Sequence, residues 1–223
     1  MQDNLNALTP KPQILETISL WRASMLGSCY RLQVLAAYGI RIGPADASEA
    51  RKLAMRSAIH REVQSWLASK YTPIIIEKAY IDEDRRISGH VDAVLLGTKP
   101  QKIVEIKGLN PYYYKKIVNG TAKPYWGAQL DFYHKVINQQ DPNVHDAIPV
   151  SLIVDVLDGN ITEMDVELVD YVNIVDVLNA CWDADILPPY DLNQCKRECP
   201  LQSICTEPVD TISEWVELVK ERI

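Results

Sequence analysis

A chain of 223 residues, 47 % apolar and 24 % charged, has the makings of one packed core, and no low-complexity tract or fixed-period repeat interrupts it. Its net charge of −7 excludes a protein that coats nucleic acid by bulk electrostatics, while leaving room for a local basic surface. No stretch approaches the roughly 18 uncharged apolar residues of a membrane-spanning helix. The opening "MQDNLNALTPKPQILETISLW" lacks the basic start and apolar block of a secretory signal, so a soluble, cytoplasmic protein without a membrane partner is expected.

In residues 13–39 apolar side chains from Ile14 to Leu35 recur at mainly helical spacings, which predicts one or two helices. After the turn-like "RIGPAD", the segment "ASEARKLAMRSAIHREVQSWLASK" has strong helix formers and neither Gly nor Pro, with Ser48 placed to cap a helix. The texture then turns to β. "PIIIEKAYI", "RISGHVDAVLLG" and "KIVEIKG" are rich in branched residues and separated by turn chemistry, which predicts a three-stranded meander. "NPYYYKKIVNGTAKP" reads as a loop and "YWGAQLDFYHKVINQQ" as a helix. "AIPVSLIVDVLDGNITEMDVEL" predicts two strands joined at "DGN". A helix through "VDYVNIVDVLNACW" then leads into the irregular, Pro- and Cys-rich "DADILPPYDLNQCKRECPLQSIC", and a last helix spans 211–222. This order predicts an α/β or α+β fold, a sheet flanked by helices.

Ionisable groups stand where that sheet should be buried. Glu105 and Lys107, two apart on one strand, project from the same face, among the apolar Ile103, Val104 and Ile106. Desolvating each ion costs several kcal/mol unless it is paired or binds a metal. If the preceding strand pairs with this one, Asp92 lies near Glu105. Two carboxylates sharing a site repel unless a cation lies between them, and hard oxygen ligands suit Mg²⁺ or Mn²⁺. Such an ion lowers the pKa of a bound water and polarises a phosphoryl oxygen. Lys107 would then orient or deprotonate the attacking water, or neutralise charge at phosphorus. The plainer alternative is a Glu105–Lys107 ion pair on an exposed strand with Asp92 in solvent.

Two helices add to this set. His60 falls one helical turn beyond Arg56 and two beyond Lys52, and Gln129 and Tyr133 are four apart on one helix face. Together, His60, "GHVDAV", "VEIKG" and "AQLDFY" resemble, in order and over residues 20–205, the PD-(D/E)XK nuclease superfamily, in the RecB-like branch that includes the Cas4 nucleases and phage exonucleases. Val91 stands where the family's name-giving motif has proline. The resemblance implies a restriction-endonuclease-like mixed sheet. It also implies His60, Asp92, Glu105 and the Ile106 carbonyl as ligands of Mg²⁺ or Mn²⁺, and Lys107 as the catalytic lysine. Gln129 and Tyr133 would bond a phosphate or hold that lysine.

Cys195, Cys199 and Cys205 are spaced C-x3-C-x5-C, and Cys29 lies far upstream. Four thiolates suit a [4Fe-4S] cluster or a tetrahedral Zn²⁺, and spacing alone does not choose. Similarity to the Cas4-like nucleases implies the cluster, pinning residues 20–40 to 181–210 within one domain spanning 1–223. The x3 spacing departs from the family's usual x2. Cys181, the fifth cysteine, reads as a core residue or a substitute for Cys195.

Candidate contacts to a DNA backbone are Arg22, Arg31, Lys52, Arg56 and Arg61, with Tyr112 to Lys116 and Trp126 as stacking and screening groups. The expected function is metal-dependent hydrolysis of DNA ends or single strands by an exonuclease. The alternatives are a non-catalytic iron-sulfur DNA-binding or scaffold subunit of a recombination or CRISPR-adaptation complex, and a zinc-stapled structural protein.

Overall fold

The computed structural model describes residues 20–40, 47–189 and 201–222. In chain order the elements are β1 (Trp21–Arg22), a 3-10 turn (Ala23–Met25), α1 (Tyr30–Ala37), α2 (Ala47–Lys70), β2 (Ile74–Asp82), β3 (Ile87–Leu95) and β4 (Lys102–Leu109). There follow α3 (Pro111–Val118), α4 (Gly127–Gln140), β5 (Ile148–Asp155), β6 (Ile161–Met164), α5 (Tyr171–Ala184), α6 (Gln202–Cys205) and α7 (Ile212–Arg222).

The predicted meander forms: β2 runs antiparallel to β3, and β3 antiparallel to β4. Strands β5 and β6 make the predicted hairpin, and β5 joins the sheet parallel to β4 because the intervening α3 and α4 carry the chain back across it. The result is a mixed six-stranded sheet with order β1-β3-β4-β5-β6 and β2 beside β3. Helix α2 covers one face, where Val63 and Leu67 pack on Ala93, Leu95, Val104 and Ile106. On the other, Phe132, Tyr133, Val136 and Ile137 of α4 meet Val91, Val94 and Ile103. Helix α7 adds Ile212, Trp215, Val216 and Val219 to that second core, at the spacing of one helical face.

Four local expectations are corrected. Residues 21–22 form a strand rather than a helix, because Trp21 pairs with Ile87 parallel to β3 and its side chain is fully buried. The expected loop "NPYYYKKIVNGTAKP" contains α3: Asn110 accepts a hydrogen bond from Tyr113 N at 2.9 Å and Pro111 opens the first turn, a start signal made of a cap followed by proline. Ser48 lies within α2, which begins at Ala47, rather than before it. In the expected irregular tail, Gln202–Cys205 is a short helix, and residues 190–200 lie outside the described residues. No helix among the described residues is long and apolar enough to cross a membrane.

The end of α4 is tied to β2 through Asp141, whose buried carboxylate accepts from Lys78 Nζ at 2.6 Å, Tyr80 Oη at 2.8 Å and Asn143 N at 3.0 Å. Burial alone would raise its pKa, but those donors outweigh burial and hold it down to about 2 from the usual 3.8. The folded-state pKa is therefore the lower one. The stability it confers is present above the unfolded value and is lost as pH falls through the folded value. Nearly two pKa units correspond to about 2 kcal/mol. An acid titration of unfolding free energy is expected to show the wild type losing about that much more than Asp141→Asn between roughly pH 4 and pH 2.

Candidate active site

Strand β3 has a gap along one edge. Strand β2 lines the other edge, while on this one β1 pairs only with Ile87 and Ser88, and β4 only with Ala93, Val94 and Leu95. Between them Gly89, His90, Val91 and Asp92 have no strand beside them, so their main-chain groups are open to side chains from the flanking helices. The next rung of the β3–β4 ladder would set Asp92 opposite Glu105. In its place Asp92 Oδ2 accepts from the Ile106 main-chain N at 2.6 Å, and the two strands part there. Where the strands part, the acidic residues of β3 and β4 lie within electrostatic reach of each other.

Glu105 and Lys107 share a face as alternation requires, and Lys107 Nζ lies 2.6 Å from Glu105 Oε1. Lys107 also donates to Gln129 Oε1 at 3.0 Å. From the same α4 face Gln129 Nε2 donates to Tyr133 Oη at 3.4 Å, and Tyr133 Oη donates to the His90 carbonyl at 2.6 Å. The Gln-x-x-x-Tyr spacing thus ties α4 both to the lysine and to the open edge of β3. Tyr133, which also reads as an ordinary core residue, is buried and bonded at once.

From the opposite layer, His60 Nδ1 approaches Asp92 Oδ1 at 3.3 Å. The exposed-strand alternative for Glu105, Lys107 and Asp92 is excluded, since Glu105 is 2 % and Asp92 7 % exposed. Burial pushes the Glu105 carboxyl well above the usual range, against the pull of Lys107, and Asp92 adds to the rise. Burial disfavours the Lys107 charge, but the Glu105 carboxylate outweighs it and keeps the lysine protonated. The hydrogen bond to Asp92 raises the His60 pKa. Burial and the nearby Glu105 charge keep the Tyr133 phenol neutral.

One atom in this arrangement lacks an internal partner. Glu105 Oε2 is buried and makes no hydrogen bond. A buried carboxylate oxygen left unsatisfied costs free energy, and a hard cation is one group that would satisfy it. Among the described residues no three His, Cys, Asp or Glu side chains are grouped as a ready metal cage.

Three residues around this site went unread in the sequence. Gln64, one turn after His60, donates to the Asp92 carbonyl at 3.2 Å and to Glu77 Oε1 at 2.5 Å. The His60-plus-four position was the available signal for Gln64; Glu77 had none inside a uniform strand pattern. Gly89 is the third: a Cβ there would lie 2.7 Å from Ala23 Cβ and 2.8 Å from Tyr133 Oη. Gly89→Ala is therefore expected to cost about 1–3 kcal/mol in denaturant unfolding through overpacking. It should also push Tyr133 off the His90 carbonyl.

The other candidate contacts divide. Arg31 is buried, donating to the carbonyls of Pro188 at 2.9 Å and Cys205 at 2.8 Å, so it is corrected from a phosphate contact to a structural one. Trp126 is a core residue bonded to Ser151 Oγ at 3.1 Å, not a stacking surface. Arg22, Lys52, Arg56, Arg61, Tyr112 and Tyr113 are exposed, and Lys116 Nζ lies 4.4 Å over the Tyr112 ring. Through Arg31, α1, which begins just after Cys29, lies against α6, which ends at Cys205. Those bonds involve no sulfur, and Cys195 and Cys199 lie outside the described residues. Cys181 is half-buried on α5, and burial raises its thiol pKa.

No family model matches the chain, and no curated protein matches it. Among solved structures it is similar to the crystal structure of SSO0001, with 16 % sequence identity, a TM-score of 0.53, and coverage of 84 % of this chain and 86 % of that one. At that identity the likeness concerns the fold, the mixed sheet flanked by helices.

Proposed function

We propose that the chain is a divalent-metal-dependent deoxyribonuclease of the PD-(D/E)XK type, in the RecB-like, Cas4-like branch, acting on DNA ends or single strands. The observation that carries this reading is Glu105: fully buried on a parting strand pair, one oxygen on Lys107, the other without a protein partner, beside an Asp92 already held by His60 and Ile106 N. A structural ion pair gains nothing from such an orphan oxygen; a cation site does. His60, Asp92, Glu105 and the Ile106 carbonyl would hold Mg²⁺ or Mn²⁺. The ion, when bound, supplies Lewis-acid polarisation of the phosphate and a more acidic water.

This chain's own groups do the rest. Lys107 is an ammonium with two of its three N–H bonds given to Glu105 and Gln129, which fixes where the third points. Placed so, it orients a nucleophile or offsets charge gathering at phosphorus. Gln129 and Tyr133 hold that lysine and the β3 edge in one register. Exposed Tyr112 and Tyr113 with Lys115 and Lys116 on α3, which directly follows β4, offer rings for bases and cations for phosphates. Cys29, Cys195, Cys199 and Cys205 would bind a [4Fe-4S] cluster. Visible absorbance of the purified protein separates that cluster from colourless Zn²⁺.

The test is incubation with end-labelled single- and double-stranded DNA, with Mg²⁺, Mn²⁺ or chelator. Cleavage that requires the metal is expected. A wild-type chain that binds DNA but leaves it intact at every metal concentration returns the protein to the non-catalytic DNA-binding class.

A further inference from the structure

Helix α2 grips Asp92 at two points one turn apart. His60 meets its carboxylate, and Gln64 donates to its main-chain carbonyl. The second hydrogen bond of the same Gln64 Nε2 goes to Glu77 Oε1, so both N–H bonds of this buried amide are committed. Glu77 stands at the one rung missing from the β2–β3 ladder, opposite Asp92, with Ile76 and Lys78 paired on either side. Its φ is 51°, in the left-handed region that suits glycine and disfavours glutamate. No turn needs that conformation, since the strand continues past it. A strained residue in an otherwise regular strand marks a position whose side chain is required where the strain puts it.

We infer that Gln64 and Glu77 are positioning residues: Glu77 fixes the Gln64 amide, and Gln64 fixes the Asp92 main chain at the point where neither neighbouring strand does. The inference builds on the nuclease reading, in which Asp92 is a metal ligand. A carboxylate aimed by its side chain alone would swing with a main chain that has lost its rungs on both edges. The Gln64 bond replaces the missing rung.

The test compares the wild type with Glu77→Gly and Glu77→Gln, reading Mn²⁺ affinity by calorimetry, unfolding midpoint, and kcat and KM on a labelled single-stranded oligonucleotide. Glycine accepts the left-handed φ without strain, so loss of the carboxylate is offset in the fold and the midpoint stays within about 4 °C of wild type. Mn²⁺ affinity and kcat are expected to fall about 10–100-fold, the usual cost of losing a partner that orients a ligand. KM should hold. Glu77→Gln, which keeps an oxygen to accept from Gln64, is expected to recover most of both losses. A wild type that cleaves and binds Mn²⁺, matched in both by Glu77→Gly, overturns this inference alone. A wild type that does neither overturns the nuclease reading and takes this inference with it.

Discussion

Replacing Lys107 with methionine is expected to lower metal-dependent DNA cleavage by about 10²–10⁴-fold, the range for loss of a positioned group that transfers or holds a proton, while DNA binding in chelator persists. The side chain keeps its length and loses its charge. Glu105, fully buried and already pushed up by desolvation, then has no cation 2.6 Å away to favour its ionised form. It will take up a proton and cease to be an acceptor for anything positive. Glu105→Gln removes the same charge from the other side and should be equally inactive.

Stability separates a functional pair from a structural one. A trapped, unpaired buried charge typically costs about 3–5 kcal/mol, and each single change costs less than that, since Glu105 without Lys107 takes up a proton and Lys107 without Glu105 has a side chain 19 % exposed to water. The double variant Glu105→Leu with Lys107→Met removes both charges together. Replacement of a buried pair by hydrophobic side chains of like volume is often neutral or stabilising by about 1–4 kcal/mol. A double variant at least as stable as wild type, yet inactive, means that the pair is retained for chemistry. A double variant as unstable as the sum of the singles would make it a fold element, and the active-site assignment would fail.

How much of this could be read beforehand follows from how local each cause is. Strand alternation was enough to put Glu105 and Lys107 on one face, and helical spacing to put Gln129 and Tyr133 on another, because both periods are properties of a few consecutive residues. That the two faces meet through the Lys107–Gln129 bond is a tertiary fact. Strand β1 escaped because two residues are too short to show a period. Glu77 escaped for the opposite reason: "IIIEKAYI" is uniformly strand-like, and a single left-handed φ inside it leaves no mark on composition. The α3 helix carries its start signal in Asn110-Pro111, although the tyrosines and lysines that follow suit a loop equally well. Arg31 shows the limit for charges: one arginine in sequence is equally a phosphate contact or a clamp on two carbonyls, and burial alone decides.

The same short strand carries the largest expected effect on the fold. Trp21 is wholly buried; its indole N–H donates to Asn179 Oδ1 at 2.8 Å, and its ring meets Trp182 edge-on with centroids 5.6 Å apart. Trp21→Ala leaves a cavity between β1 and α5 and strips Asn179 of a donor, which is expected to cost about 3–5 kcal/mol. For a chain of this size that lowers the thermal midpoint by roughly 6–20 °C. Trp21→Phe keeps most of the volume and loses only the N–H, so about 1–2 kcal/mol should separate it from wild type. The loss also reaches the site. The main chain of β1 pairs with Ile87 and Ser88, and Ala23, next along, borders with the Tyr133 hydroxyl the space beside Gly89 that a Cβ would need. Loosening Trp21 frees that contact and with it the bond from Tyr133 to the His90 carbonyl. Cleavage by Trp21→Ala should therefore fall below wild type even at temperatures where circular dichroism shows the variant fully folded, whereas Trp21→Phe, which holds β1 in place, should cleave normally. Equal activity in all three would mean that the gap in the β3 edge is held open by α2 and α4 alone, without β1.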